Sequence, residues 1–281
     1  MRIGFMQGRL VEMVEGQIQA FPWSEWEREF EVAQHHGFDL MEWTLDAERI
    51  LDNPLMCQDG RNQIGRLCSK HGVDISSLTG DFFMQSPFFK VNGELRAERI
   101  KILHLVIDAC DQLGIRLIVL PLVDHGSIGN LDEENLLVRT LLDLDNLLSR
   151  RNMKIIFESD YDPIKLGEFI ARFPVSTFGI NYDVGNSAAL GYVPSSEFEN
   201  YGSRIFNVHI KDRLLGGTTV PLGKGNADFD AVFRLLRKVR YSGNFILQTA
   251  RASDGDHALA LSRYRDMVNG WWDINGSQAY R

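Results

Sequence analysis

The sequence predicts an α/β protein, a single-domain (β/α)8 TIM barrel that covers residues 1–281. Short β-rich runs recur along the whole chain, and segments with helical periodicity separate them. No linker rich in proline, serine or charge divides the chain. About eight consecutive strand–helix units in about 250 residues are what a closed barrel requires. A doubly wound open sheet is the alternative fold.

The predicted strands are short and rich in apolar residues. In chain order they are RIGFMQ near residue 2, DLMEW at 39, DISSLT at 74, RLIVLPL at 116, KIIFES at 154, FGINYD at 178, IFNVHIK at 205 and NFILQT at 244.

Helix boundaries are predicted from capping residues. The first helix should begin after Ser24 as N-cap and end at Gly37, and another should stop at Gly114. A third should start from Asp132 and end in two arginines, which suit the dipole of a helix C-terminus. A fourth should begin near Asp228, and DGDHALALSRYRDMVNGWW should form the last.

Composition limits the class of protein. Hydrophobic residues make up 44 % of the chain, and the net charge of −8 argues against nucleic acid as the main partner. The three cysteines, Cys57, Cys68 and Cys110, have no CxxC spacing, which is typical of a reduced, cytoplasmic protein. We see neither a signal peptide nor an apolar run long enough to span a membrane, so no membrane partner is expected.

Strand parity predicts the site. In a barrel, alternate residues face the helices and the interior. With Phe206, Val208 and Ile210 facing outward, His209 and Lys211 face inward. The same parity directs one polar side chain inward near the end of each of the three other late strands, namely Glu158, Asp183 and Gln248. These side chains should meet at the C-terminal mouth, where TIM-barrel enzymes have their active sites.

The four residues Glu158, Asp183, His209 and Gln248 offer two carboxylates, an imidazole and an amide oxygen. Such a mixed oxygen and nitrogen set suits Mn²⁺, Mg²⁺, Co²⁺ or Zn²⁺. Each residue alone is more typical of a strand-end group hydrogen-bonded to a loop, and for His209 alone we favour that reading. The convergence of four such positions favours a metal site, with the four groups within about 5 Å of one another.

Several motifs resemble one known family. FES, NYDVGN, VHIKD with PLGKGNADF, and YSGNFILQT resemble the later strands of the xylose isomerase-like TIM barrel family, the sugar isomerase/epimerase superfamily that includes ketose 3-epimerases and inosose dehydratases. GFMQGR and LMEW resemble its first two strands, so the likeness covers nearly the whole chain. It implies a divalent metal held by Glu158, Asp183, His209 and, in the fourth position, Gln248. It also implies isomerisation or epimerisation of a small sugar, polyol or sugar derivative through an enediolate.

Two positions depart from the epimerase pattern. Asn186 stands where a histidine is usual, and Gln248 stands where the family's epimerases have a second glutamate. An amide can ligate a metal but cannot accept a proton at physiological pH. One-base chemistry, such as aldose–ketose isomerisation or dehydration of a keto-polyol, therefore becomes an alternative. A non-catalytic barrel that binds a sugar or a partner is another.

Other residues are ranked around this site. Glu158 is the candidate base, and Lys211 could stabilise enolate charge or bind an anionic substituent. Glu42 could bind a substrate hydroxyl, support a metal-ligating histidine, or form a salt bridge across the mouth. Arg251 is placed for a carboxylate or phosphate, although an arginine there is equally often solvated. Asn186 and Arg213 complete the candidate substrate-binding residues.

Two loops offer further interpretations. DFFMQSPFFKVNGE after the third strand is expected to be a pocket wall, a lid, a subunit contact in a homo-oligomer, or a packed loop over the rim. GGTTVPLGKGNADF lacks the spacing of a P-loop, so Gly223 and Gly225 are expected to shape a turn, and Asp212 to anchor Lys211 or Arg213. We reject DNA repair of the endonuclease IV type, because it needs several metals and many histidines.

Overall fold

The computed structural model describes residues 1–277, which contain a closed barrel of eight parallel strands. We label the barrel strands β1 to β8; around the barrel they follow the order β1, β8, β7, β6, β5, β4, β3, β2. Their bounds are β1 Ile3–Met6, β2 Leu40–Thr44, β3 Asp74–Thr79, β4 Leu117–Leu122, β5 Lys154–Ser159, β6 Phe178–Asp183, β7 Ile205–Ile210 and β8 Asn244–Leu247. The predicted TIM barrel is confirmed.

Helices join the strands and cover the barrel. Their bounds are α1 Arg28–His35, α2 Gln58–His71, α3 Asp81–Gln85, α4 Gly93–Leu113, α5 Leu131–Leu142, α6 Asp145–Arg150, α7 Pro163–Ala171, α8 Val184–Leu190, α9 Pro194–Tyr201, α10 Phe229–Lys238 and α11 His257–Ser277. Within residues 1–277, none of these helices is both long enough and apolar enough to cross a membrane.

Most predicted helix ends are confirmed. Gly37 and Gly114 follow α1 and α4 with φ of +69° and +76°, a conformation that glycine adopts without strain. The Asp228 side chain accepts a hydrogen bond from the Ala231 amide and caps α10. The prediction that Ser24 caps α1 is wrong, because turns precede that helix and it begins only at Arg28.

The helix predicted to start from Asp132 is also different in the structure. Asn130 is its N-cap, since its side chain accepts hydrogen bonds from the amides of Asp132 and Glu133. The segment is divided into α5 and α6, with Asp143 and Leu144 between them.

Outward-facing residues pack under the helices as parity predicts. Phe157 of β5 lies against Phe169 and Phe173, with ring centroids 5.2 and 5.1 Å apart. Tyr182 of β6 packs edge-on against Phe198 of α9. This packing leaves the alternate residues of these strands facing the barrel interior.

The barrel interior contains little apolar packing. Met6, Leu40 and Ile246 form a small buried cluster, separate from the main core under the helices. Val119 and Ile156 are further buried apolar residues at inward positions, and buried polar side chains come from five strands: Glu42, Ser77, Thr79, Glu158, Asn181, Asp183, Asn207 and His209. Since TIM-barrel interiors are usually filled with branched apolar side chains, this polar interior points to a functional site.

Asp212 was predicted to anchor Lys211 or Arg213, but it holds the glycine-rich loop after β7 instead. Its Oδ2 accepts hydrogen bonds from the amides of Gly223 and Gly225, both at 2.8 Å, and its Oδ1 accepts one from Ala227. A Cβ on Gly225 would lie 2.2 Å from Asp212 Oδ1, so only glycine fits there. Residues 212–213 and 219–220 pair as a short antiparallel ribbon at the base of this loop.

Candidate active site

Three predicted metal ligands meet at the ends of adjacent strands. Glu158 of β5, Asp183 of β6 and His209 of β7 each offer a ligand atom, and these atoms lie within 4.8 Å of one another. All three side chains are buried. Two carboxylates and an imidazole at this separation have the donor types and the reach of a divalent-metal site.

Glu42 orients the imidazole of His209. The Nε2 of His209 lies 2.7 Å from Glu42 Oε1, and its Nδ1 lies 3.1 Å from Glu158 Oε2. When Nε2–H donates to Glu42, the lone pair of Nδ1 is left on the side of Glu158 and Asp183. Histidine ligands of metals are held in this way by a carboxylate on their other nitrogen.

Glu42 is itself held by several donors. Its carboxylate accepts hydrogen bonds from the hydroxyls of Ser77 and Thr79, both at 2.6 Å, and from the amide of Asn207 at 2.9 Å. Burial alone would raise the pKa of Glu42, but the charge of His209 and the hydrogen bonds from His209, Ser77 and Thr79 outweigh it and lower the pKa. The side chain therefore remains an anion without contact with solvent.

Without a bound ion, the surroundings of His209 favour its doubly protonated, positively charged form. Burial lowers its pKa, but the charges and hydrogen bonds of Glu42 and Glu158 outweigh burial and raise the pKa to about 10. The imidazole can then donate from both nitrogens. A metal ion at this site must displace the Nδ1 proton before that nitrogen can ligate it.

Two asparagines hold the carboxylate of Glu158. Asn186 donates to Oε1 at 2.6 Å, and Asn181 donates to Oε2 at 2.9 Å. Burial raises the pKa of Glu158, yet its hydrogen bond with His209 and the charges of His209 and Lys211 lower it overall. Glu158 is thus ionised at neutral pH, as a proton acceptor must be.

Lys211 links two of the predicted ligands. Its Nζ lies 2.7 Å from Asp183 Oδ2 and donates to Gln248 Oε1 at 2.8 Å. Burial raises the pKa of Asp183, and the Lys211 charge lessens that rise. Lys211 therefore lies between Gln248 and the carboxylate of Asp183. The amide oxygen of Gln248 already accepts a hydrogen bond from Lys211.

The mouth of the barrel contains a cavity of about 260 Å³. Lys211, Arg213 and Asn186 line it together with Glu158 and Gln248. Arg213 donates to the Asn186 side chain at 2.9 Å and to the Gly217 carbonyl. Arg251 instead donates to the carbonyl of Val11 at 2.7 Å, so its guanidinium is engaged by the loop after β1.

The loop after β3 both packs and lines the cavity. Its four phenylalanines, Phe82, Phe83, Phe88 and Phe89, are buried in the main core, as the packed-loop interpretation predicts. Asp81, Met84 and Gln85 of α3 line the cavity, as the pocket-wall interpretation predicts.

The contact between Gln19 and Asp81 at this cavity was not predicted from the sequence. Gln19 accepts a hydrogen bond from Gln248 Nε2 at 2.6 Å and donates to Asp81 Oδ2 at 2.5 Å. Gln19 lies in the irregular segment after β1, where no periodic pattern identifies it. Asp81 lies two residues after the last residue of β3, so its position near a strand end was the signal available in the sequence.

Family comparison agrees with this geometry. The profile of the family described as xylose isomerase-like TIM barrel matches residues 30–266. The chain belongs to this family. The resemblance inferred from the sequence motifs is therefore confirmed.

Several known proteins are similar to this chain along most of its length. The chain is 24 % identical to L-ribulose-5-phosphate 3-epimerase UlaE of Escherichia coli O1:K1 / APEC, over 89 % of this chain and 91 % of the relative. It resembles the structure of an L-ribulose 3-epimerase, with a TM-score of 0.74, 16 % identity, and coverage of 99 % and 97 %. It also resembles the IOLI protein with a bound zinc atom, with a TM-score of 0.72, 17 % identity, and coverage of 96 % and 99 %. The two solved structures share the barrel fold, and the curated relative, a sugar epimerase, agrees with the predicted class of sugar isomerase or epimerase.

Proposed function

We propose that this protein is a divalent-metal-dependent isomerase or epimerase that acts on a small sugar or sugar derivative through an enediolate. The observation that carries the proposal is the buried cluster of Glu158, Asp183 and His209 at the mouth of the barrel. The family assignment and the epimerases among its relatives support the same conclusion.

The cluster fits a divalent ion by the chemistry of its donors. Glu158 and Asp183 would balance the charge of the ion, and His209 would offer Nδ1 because Glu42 engages its Nε2. A bound Mn²⁺, Mg²⁺, Co²⁺ or Zn²⁺ would supply Lewis-acid polarisation of a substrate carbonyl. Gln248 could add an amide oxygen if it released Lys211.

Glu158 is the base in this proposal. Its carboxylate lines the cavity and is ionised, and the hydrogen bonds from Asn181 and Asn186 fix its orientation. It takes a proton from the substrate carbon next to the carbonyl, and the electron pair of the broken C–H bond forms the enediolate. Lys211, whose ammonium also lines the cavity, stabilises the negative charge that develops on oxygen.

Arg213 and Asn186 are proposed to bind substrate hydroxyl or anionic groups. Arg213 lines the cavity and its guanidinium is oriented by Gly217 and Asn186. We assign no substrate contact to Arg251, since it donates to Val11.

The proposal is tested by a substrate panel. Purified protein is stripped with a chelator, loaded separately with each of the four ions, and incubated with ketoses, aldoses, inososes and their 5-phosphates, including L-ribulose and L-ribulose 5-phosphate. Products are identified by NMR. Conversion that requires the ion, and that His209→Ala loses, is expected. If no sugar is converted with any ion, the barrel is better described as a binding protein.

A further inference from the structure

Because residue 248 is a glutamine, the cavity has one proton-transfer group fewer than inversion at a carbon requires. Inversion at a carbon requires removal of a proton from one face and its return to the other. Glu158 supplies one group, but the Gln248 amide cannot hold or give up a proton in this pH range. An epimerase built on this site needs a second acid elsewhere on the cavity wall.

Asp81 occupies such a position. It is the first residue of α3, separated from the end of β3 by Gly80, and it lines the same cavity of about 260 Å³ as Glu158 and Gln248. Glu158 enters that cavity from β5, so the two carboxyl groups reach it from different strand ends.

Gln19 holds the Asp81 carboxyl in place. The Oε1 of Gln19 accepts hydrogen bonds from Gln248 Nε2 at 2.6 Å and from Arg9 Nη2 at 3.1 Å. Two donors on that oxygen orient the Gln19 amide so that its Nε2 donates to Asp81 Oδ2. Gln248, which stands where a second base is usual, is thereby connected to Asp81 through the side chain of Gln19.

Asp81 is also able to exchange a proton near neutrality. Burial is the main cause that raises its pKa to about 7, and the charges of Glu158 and Asp46 add to the rise. The hydrogen bond from Gln19 and the charge of His209 lower it, and the guanidinium of Arg9 also faces the group. An acid whose pKa lies close to the working pH is the most effective general acid–base catalyst.

We propose that Asp81 is the second acid–base group of this cavity and returns the proton that Gln248 cannot supply. The inference rests on the proposed function. Glu158 takes the proton from the substrate carbon and becomes a carboxylic acid, and the C–H electron pair forms the enediolate. Protonated Asp81 gives its proton to the other face of that carbon and becomes a carboxylate. The product is the epimer, and exchange with water restores both side chains.

The experiment separates proton removal from inversion. Ion-loaded wild type and Asp81→Asn are incubated with L-ribulose 5-phosphate in D₂O, and NMR follows deuterium at C3 of the recovered substrate and formation of the 3-epimer. Asparagine at position 81 has nearly the same shape and can still accept the hydrogen bond from Gln19, so this contact is kept in the variant. Asp59→Asn, on the exposed face of α2, is the matched control.

Asp81→Asn should lower inversion by about 100-fold or more, the usual contribution of a general acid, while exchange at C3 stays within about threefold of wild type. Asp81→Glu should restore part of the inversion, and the limb of the pH–rate profile near pH 7 should be absent in Asp81→Asn. If Asp81→Asn inverts as fast as wild type, or loses exchange and inversion together, the role given to Asp81 is wrong. If wild type itself neither exchanges nor inverts any panel sugar, the proposed function fails, and with it this inference.

Discussion

His209 and Glu42 form a fully buried pair in which the imidazole Nε2 lies 2.7 Å from the carboxylate Oε1. The two residues come from β7 and β2, strands that do not pair with each other, so only closure of the barrel brings them together. The pair fixes which nitrogen of His209 faces Glu158 and Asp183.

Glu42→Gln should weaken binding of a divalent ion by about 10- to 100-fold, the usual cost of losing a partner of a ligating histidine. The amide oxygen could still accept from Nε2, but the anion that raises the basicity of the imidazole would be gone. Titration calorimetry on chelator-stripped protein measures the affinity. Glu197→Gln is the control. It removes another buried carboxylate, which accepts a hydrogen bond from the Tyr182 hydroxyl, and it should leave the affinity for the ion unchanged. Equal affinities of wild type and Glu42→Gln would contradict this role.

The free energy of unfolding of the ion-free protein should fall as pH rises from about 6.5 to about 10. The folded pKa of His209, about 10, lies above its ordinary value of 6.5, so the folded state binds this proton more tightly. That stabilisation is fully present below about pH 6.5 and is lost as pH approaches 10. Urea unfolding in the presence of chelator measures the decline.

His209→Gln is the comparison for that decline, because other groups also titrate in this range. The decrease in stability between pH 6.5 and 10 should be clearly smaller in the variant. Parallel curves for the two proteins would show that His209 is not held as a cation.

Gln248→Glu should tighten binding of a divalent ion. The new carboxylate adds negative charge in a partly desolvated site, where charge interactions are strong. Part of the gain in ion affinity is offset because the new carboxylate is also attracted to Lys211, which already donates to the side chain of residue 248. Calorimetry that finds unchanged or weaker affinity would indicate that residue 248 is not a ligand.

Asp212→Asn should lower the free energy of unfolding by about 1–3 kcal/mol, because one of the two oxygens that accept loop amides becomes a donor. The side chain is fully buried and accepts three backbone hydrogen bonds, from Gly223, Gly225 and Ala227. Denaturant unfolding measures the change, with Asp230→Asn on α10 as an exposed control. A change below about 0.5 kcal/mol, the usual range at surface positions, would contradict this account of the loop.

The barrel and the inward positions of three candidate site residues were predictable, because both follow from the regular alternation of residues along the strands. Alternation along β5, β6 and β7 assigns Glu158, Asp183 and His209 to the interior, and parallel strands bring their ends together. The outward positions of Phe157 and Tyr182 agree with the same alternation.

Loop residues were less predictable, because their contacts depend on the folded chain rather than on sequence spacing. Gln19 and Asp81 meet only after the segment beyond β1 folds over α3. Asp212 was expected to pair with a charged neighbour, but backbone amides of the following loop surround it. Ser24 matched a capping pattern, yet turns occupy that segment and α1 begins four residues later.

Hydrogen exchange at the substrate carbon is the most direct test of the central claim, that Glu158 removes a proton in an ion-dependent reaction. Ion-loaded wild type should introduce deuterium from D₂O at the carbon next to the carbonyl of a panel sugar, and chelation should stop it. Glu158→Gln should abolish the exchange, whereas Glu168→Gln, an exposed glutamate on α7, should retain it. Undiminished exchange in Glu158→Gln would contradict the account.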